Sequence, residues 1–311
     1  MFRSRRYRVD NEQVVLLLTI LLVFAVIVIS STVTFCASGV FIILMFALSA
    51  LLTRSHHQSL LNSAIPLNPI KMPQLAAEVE ECSVKLQPGP VDVFVARQNH
   101  MNAYTFGISS PKVLVIYAPM LNVMSADELR FIIGHEMGHV ALGHTWLNTI
   151  LGGMAGIPAP FGAAVLLYAA FRWWNRMCEF SSDRAGLLAC GDLNAAVSAM
   201  VKLVAPNVRS QVDFEKALAM IDAQDDSMSN RLAEVFQTHP MLIRRINKLR
   251  DYSRTQEYQY LQAGVNENVG RKEQKTKASA PISQDIRNSA EKPGEPQKSP
   301  EERWPWLKPK E

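Results

Sequence analysis

From residue 14 to residue 53 the chain carries no charged side chain. A run of about 40 uncharged, mostly apolar residues is twice what one membrane-crossing helix needs, roughly 20. It divides near Ser30, Ser31 and Thr32 and again near Ser38 and Gly39. The pattern therefore predicts a helical hairpin, one arm over residues 14–31 and the other over 35–52. Arg3, Arg5, Arg6 and Arg8 precede it, and Arg54, His56 and His57 follow it. Basic residues at both outer ends predict that both ends face the cytoplasm. Two other readings compete. A cleaved signal peptide has a shorter apolar core and a small-residue cleavage site. A single long tilted span would leave the rest of the chain on the far side.

The rest of the 311-residue chain is long enough for a sizeable core and one or two domains. A formal net charge of +4 is too mild to imply nucleic acid, and no nucleic-acid partner is expected. The cysteines Cys36, Cys82, Cys178 and Cys190 form no C-x-x-C pair and no zinc-finger spacing. They read as buried thiols, in agreement with a reducing compartment.

Residues 71–86 have amphipathic helical spacing, stopped by Pro88, Gly89 and Pro90. Residues 91–95, 103–106 and 113–117 read as strands, the last two joined by a turn at Ser109, Ser110 and Pro111. Ser125 and Glu128 are spaced as a capping box. The helix that it opens is expected to run to about Trp146. Further helices are expected over residues 176–189, 193–203, 212–221 and 242–252. From about residue 266 onward the composition is too polar to build a core and predicts disorder. Trp304 and Trp306 lie within that tail.

The stretch GHEMGHVALGH, residues 134–144, holds three of the chain's seven histidines. His135 and His139 stand four apart on the capped helix, so their side chains share one face and can share one ion. Glu136 lies about 100° further round, within reach of the attacking water without being a ligand. This is the H-E-x-x-H pattern of zinc peptidases. Catalytic zinc usually takes three protein ligands. His144 lies about 140° off the line of the pair on a straight helix, so it reads as a supporting or structural group. In CEFSSDRAG, Glu179 and Asp183 again stand four apart. One carboxylate can bind the metal while the other accepts the N–H of a ligand imidazole. Glu179 is the expected third ligand and Asp183 the expected partner of a ligand ring. The competing reading is a charged helix face pairing with Arg176 or Arg184.

Residues 146–170 carry no charge. His135, His139 and Glu179 must lie on one side of any membrane, so an odd number of crossings between them is excluded. Two crossings need roughly 40 apolar residues. The expectation is a short hairpin bent at residues 158–160, either dipping into the bilayer or packed against the N-terminal hairpin. A plain buried helical pair is the alternative.

ELRFIIGHEMGHVALGH followed by EFSSDRAG, with NAYTFG upstream and THPMLIRRI downstream, resembles the HtpX family of membrane zinc metalloproteases, which are related to the CAAX prenyl endopeptidases. The resemblance spans roughly residues 71–249. It implies one zinc ion per chain held by His135, His139 and Glu179, with Glu136 as the catalytic glutamate. It also implies that Asn102 and Ala103 line the substrate cleft and that His239 helps to stabilise the reaction intermediate. The insert between the metal motif and Glu179 is shorter here than the two membrane helices of HtpX.

The resulting expectation is an α+β fold: a mainly helical, zincin-type domain with a small β-sheet, behind a transmembrane hairpin. The organisation is a basic segment (1–13), the hairpin (14–53), a metallopeptidase domain (54–262) with an apolar insert (146–174), and a disordered tail (263–311). The resemblance implies a multi-pass protein of the bacterial inner membrane whose catalytic domain faces the cytoplasm. Its expected partners are the lipid bilayer and unfolded or unassembled polypeptides, with oligomers possible. The alternatives are a zinc-binding membrane scaffold without turnover and a dedicated prenyl-protein processing protease. The intact Glu136 disfavours the scaffold. The processing branch's barrel of seven membrane helices has no counterpart here.

Overall fold

The computed structural model describes residues 7–33, 37–151, 162–204 and 241–279. Two long helices come first, α1 (Glu12–Val33) and α2 (Ala37–Ser63). Their apolar side chains are largely turned outward: Leu17, Ile20, Leu21, Phe24 and Ile29 on α1, and Val40, Leu44 and Leu51 on α2, are all exposed. α1 is long and apolar enough to cross a membrane. α2 runs past the expected end of the hairpin, to Ser63.

The sheet follows. β1 (Ile65–Pro66), β2 (Val91–Ala96), β3 (Ala103–Phe106) and β4 (Lys112–Tyr117) lie in the order β1-β2-β4-β3. β2 and β4 are parallel, while β3 is antiparallel to β4 and β1 to β2. β3 is therefore an edge strand. Three strands were legible in the sequence. β1 was not, because two residues show no alternation.

α3 (Pro73–Leu86) fits between the two halves of the sheet sequence, and α4 (Ala118–Val123) leads into the central helix, α5 (Ala126–Ala141). The expected capping box opens α5: Glu128 N–H donates to Ser125 Oγ at 3.3 Å, and Ser125 N–H donates to the Glu128 carboxylate at 2.7 Å. α5 is buried on nearly every face from Leu129 to Val140. It ends at Ala141, five residues before the expected end near Trp146. The cause is Gly143, which adopts a left-handed φ of 79° that stops the helix. A new helix, α6 (Thr145–Leu151), then begins.

α7 (Gly162–Cys190) is one long helix and starts well before the expected residue 176. Its first half packs on α1, where Val15, Trp174 and Cys178 form a small buried cluster. The expected bend at residues 158–160 and the helix expected over 212–221 lie outside the described residues. So do Cys36 and the Trp304 and Trp306 pair. α8 (Leu193–Val204), α9 (Met241–Ser253) and α10 (Gln256–Ser279) are the remaining helices among the described residues. The main core draws on α3, the sheet, α5, α7, α8, α9 and α10.

α10 runs on past residue 263, where a disordered tail was expected to begin. Leu261 and Val265 are buried in the core, which anchors the helix. Beyond them Glu267 and Arg271 pair at 3.3 Å, one turn apart. Residues 280–311 lie outside the described residues.

Candidate metal centre

α5 and α7 approach closely because the seam between them is built from small residues. A Cβ on Gly138 would sit 2.6 Å from Ala185 Cβ, and one on Gly134 would sit 2.4 Å from Ala189 Cβ. Neither distance is physically tolerable, so this packing requires glycine at both positions. The consequence is that Glu179, one turn before Asp183 on α7, reaches the imidazoles of α5.

His135 Nε2 and His139 Nε2 lie 3.2 Å apart. Glu179 Oε2 lies 3.6 Å from His135 Nε2, and Glu179 Oε1 lies 3.5 Å from His139 Nε2. Three donors each about 2.0–2.1 Å from one ion, in tetrahedral disposition, would stand roughly 3.4 Å apart. With the Glu179 carboxylate taken as one corner, the triangle has the size that a single metal ion would need. Two imidazole nitrogens and a carboxylate oxygen also suit zinc chemically.

Asp183 Oδ1 lies 3.0 Å from His135 Nδ1, on the side of the ring away from the triangle. Arg245 of α9 clasps Asp183 through Nε to Oδ2 at 2.8 Å and Nη2 to Oδ1 at 2.6 Å, and its Nη1 lies 3.0 Å from Glu179 Oε2. Burial alone would raise both carboxyl pKa values. The Arg245 guanidinium, helped by the histidines, outweighs it and holds Glu179 well below, and Asp183 below, the usual carboxylate range. The competing sequence reading paired Glu179 with Arg176 or Arg184. Arg184 instead stacks on the Tyr252 ring and pairs with Glu257.

Glu136 is buried, and its Oε2 accepts a bond from Thr105 Oγ1 of β3 at 3.1 Å. Burial is the main influence on its carboxyl and raises its pKa. Asn102 and Ala103 line the same cleft as Glu136, the two histidines, Glu179 and Arg245, a cavity of about 680 Å³. Asn102 is tied to the sheet by its carbonyl, which accepts from Tyr117 N–H at 2.9 Å. At the other end of β3 the Gly107 N–H donates to Thr149 Oγ1 of α6 at 3.0 Å. His239 lies outside the described residues.

His144 does not join the triangle. The turn at Gly143 folds it back so that His144 Nδ1 lies 3.1 Å from His139 Nδ1. Its Nε2 lies 3.0 Å from Glu12 Oε1. Burial, the largest influence, keeps this imidazole's pKa down at about 4.

Sequence reasoning missed Arg245, Thr105, Glu12 and Arg8. Arg245 sits in the quoted THPMLIRRI segment, so position was a signal for it. Glu12, an acidic residue abutting the uncharged run, was a signal not used.

The sequence profile of Peptidase family M48 matches residues 69–253. Among curated proteins, the chain is similar to the plastoglobule-localized metallopeptidase 48, chloroplastic, of Arabidopsis thaliana: 29% identical over 191 residues, 56% of this chain and 55% of that protein. It is similar to a protease HtpX homolog of Desulfatibacillum aliphaticivorans, 25% identical over 220 residues, 59% of this chain and 70% of that protein. It is also similar to the protease HtpX of Acinetobacter baumannii strain AYE, 27% identical over 197 residues, 51% of this chain and 64% of that protein. The chain thus spans about half the length of the plastid relative and under two thirds of the Acinetobacter one. The family match runs from just before α3 to the end of α9 and contains the whole triangle of donors, together with Glu136, Asp183 and Arg245, and on this agreement of profile and geometry the chain belongs to peptidase family M48.

Proposed function

We propose that the chain is a membrane-bound, zinc-dependent endopeptidase acting on unfolded or unassembled proteins. The observation that carries this reading is the convergence of His135, His139 and Glu179 to 3.2–3.6 Å beside an oriented, buried Glu136. Bound by these three residues, zinc supplies an acidified water near neutral pH and a Lewis acid for the scissile carbonyl.

The chain's own groups do the rest. Glu136 accepts the proton of the attacking water and later passes it to the departing amine. A carboxyl with a raised pKa is suited to both halves of that transfer. Thr105 holds the Glu136 carboxylate in place. Asp183 fixes the His135 ring with Nε2 toward the triangle and Nδ1–H toward itself. His239, through the family resemblance, is assigned to stabilising the developing negative charge.

β3 supplies the substrate platform. Among the described residues it pairs with β4 on one side only, and its residues line the cleft. An extended peptide adding to this edge is held by backbone bonds, with no demand for one side-chain sequence. That supports a broad, unfolded substrate class. The exposed apolar surface of α1 and its length support membrane attachment, with the catalytic domain on the side that bears the basic flanks.

The test is Glu136→Gln in the purified full chain, with casein as substrate. The reading expects cleavage to be lost and one zinc per chain to be retained. Equal cleavage by both proteins would remove Glu136 from the mechanism. A wild type that holds zinc but never cleaves would point to the scaffold.

A further inference from the structure

His135 is fixed directly by a carboxylate, Asp183. Among the described residues His139 has no carboxylate on its Nδ1; its neighbour there is another imidazole. We propose that Glu12, the first residue of α1, is the positioning carboxylate for His139 and acts through His144. The inference rests on His135, His139 and Glu179 being the metal ligands.

The direction of every bond follows from that premise. His139 Nε2 faces the triangle, so it must be unprotonated to ligate. Its Nδ1 then carries the hydrogen and donates to His144 Nδ1, 3.1 Å away. His144 Nδ1 is an acceptor, so its Nε2 carries the hydrogen and donates to Glu12 Oε1 at 3.0 Å. Glu12 also accepts from Arg8 Nη1 at 2.7 Å and, on Oε2, from the Ser181 hydroxyl. Ser181 Oγ in turn accepts from Val9 N–H at 2.9 Å. The Arg8 Nη2 donates to the carbonyl of Leu142 at 2.7 Å, bracing the turn that folds His144 back.

This chain of bonds has one consistent set of tautomers and leaves no donor facing a donor. Glu12 and His144 are 1% and 2% exposed, so water does not substitute for either. A buried carboxylate with this many aligned donors is a built feature and not a surface coincidence. Glu12 also lies outside residues 69–253, the part that the family profile covers. The N-terminal segment thereby completes the surroundings of a ligand that the peptidase domain supplies.

The same cluster invites a different reading. Glu12, His144 and Cys178 are close enough to serve as ligands to a second cation. The Arg8 guanidinium bonded to Glu12 Oε1 already provides the positive charge there. One metal per chain is therefore expected, and two would overturn the relay.

The experiment uses the full chain in detergent, loaded with zinc or with cobalt(II). Zinc affinity is measured by competition with a chelator, and the cobalt absorption spectrum reports ligand geometry. His144→Phe and Glu12→Ala should each weaken zinc about 10–100-fold and shift the cobalt bands. Glu12→Asp should stay closer to wild type. Glu78→Ala, which breaks an ion pair between α3 and Arg130 of α5, the helix that carries His139, should change neither readout. Wild-type zinc affinity and cobalt bands in folded His144→Phe and Glu12→Ala would overturn the proposal.

Where those variants do not fold, nitrogen-15 NMR of the histidines in the zinc-loaded wild type decides. His144 protonated on Nε2 and His139 on Nδ1 support the relay; His144 protonated on Nδ1 overturns it. A wild type that binds no metal through His135 and His139 would instead mark the failure of the peptidase reading.

Discussion

Arg245 and Asp183 are joined by two hydrogen bonds, 2.8 and 2.6 Å long, between a side chain of α9 and one of α7. The pair ties the last core helices to the candidate metal centre, because the third guanidinium nitrogen lies 3.0 Å from Glu179. Removing the partly buried Arg245 leaves the buried carboxylate of Asp183 without its main compensating charge. Arg245→Met should destabilise the metal-free protein by about 3 kcal/mol. Thermal or denaturant unfolding of the two proteins side by side checks this; equal stability would show that Asp183 finds compensation elsewhere.

The same arginine sets a pH dependence. Glu179 and Asp183 have folded-state pKa values below their ordinary 4.5 and 3.8. A depressed carboxyl binds fewer protons folded than unfolded, so stability rises with pH through that window. The contribution is fully present above about pH 5 and is lost as pH falls through the depressed values. The metal-free wild type should therefore lose melting temperature on acidification below pH 5. Arg245→Met should show a shallower slope over the same range. Parallel slopes would mean that the guanidinium does not depress these groups.

Gly138 lies in the close seam between α5 and α7. Gly138→Ala would place a methyl group 2.6 Å from Ala185 Cβ and 3.2 Å from Ser182 Cα. The helices must part, at a cost of about 1–3 kcal/mol. Glu179 moves with α7, so zinc affinity should fall as well. Ala185→Gly in the same protein should recover part of both losses. A double-mutant cycle without coupling would contradict this account of the seam.

Thr105 bonds to Glu136 and stands apart from the candidate ligands His135, His139 and Glu179. Thr105→Val keeps the strand shape but removes the hydroxyl. We expect kcat to fall about 10-fold, with KM and zinc content near wild type, a split typical of lost transition-state positioning. Steady-state kinetics on a fluorogenic peptide provide the measurement. A rise in KM alone would assign Thr105 to substrate binding.

What could be read from the sequence was what local spacing encodes. His135 and His139, and again Glu179 and Asp183, are one helical turn apart, and that interval alone puts each pair on one face. The Ser125 and Glu128 cap is equally local. The partners that complete the centre come from far away: Arg245 is 62 residues beyond Asp183, and Glu12 is 132 before His144. No periodicity carries such pairings. The end of α5 was misplaced because the apolar pattern continues past Ala141, while Gly143 takes a backbone conformation that a helix cannot contain. α10 was missed because Leu261 and Val265, its two anchors, are few among polar neighbours.

Glu12 is at once the opening residue of the long apolar helix and a buried neighbour of His144. Under the membrane reading, two hydrogen bonds and two imidazole rings, roughly 10 Å, separate the start of the anchor from the ligand triangle. The anchor then acts as a ruler. On the proposed function it would set the depth at which peptide bonds can be cut, and would favour stretches of polypeptide hugging the lipid surface over loops that project far from it.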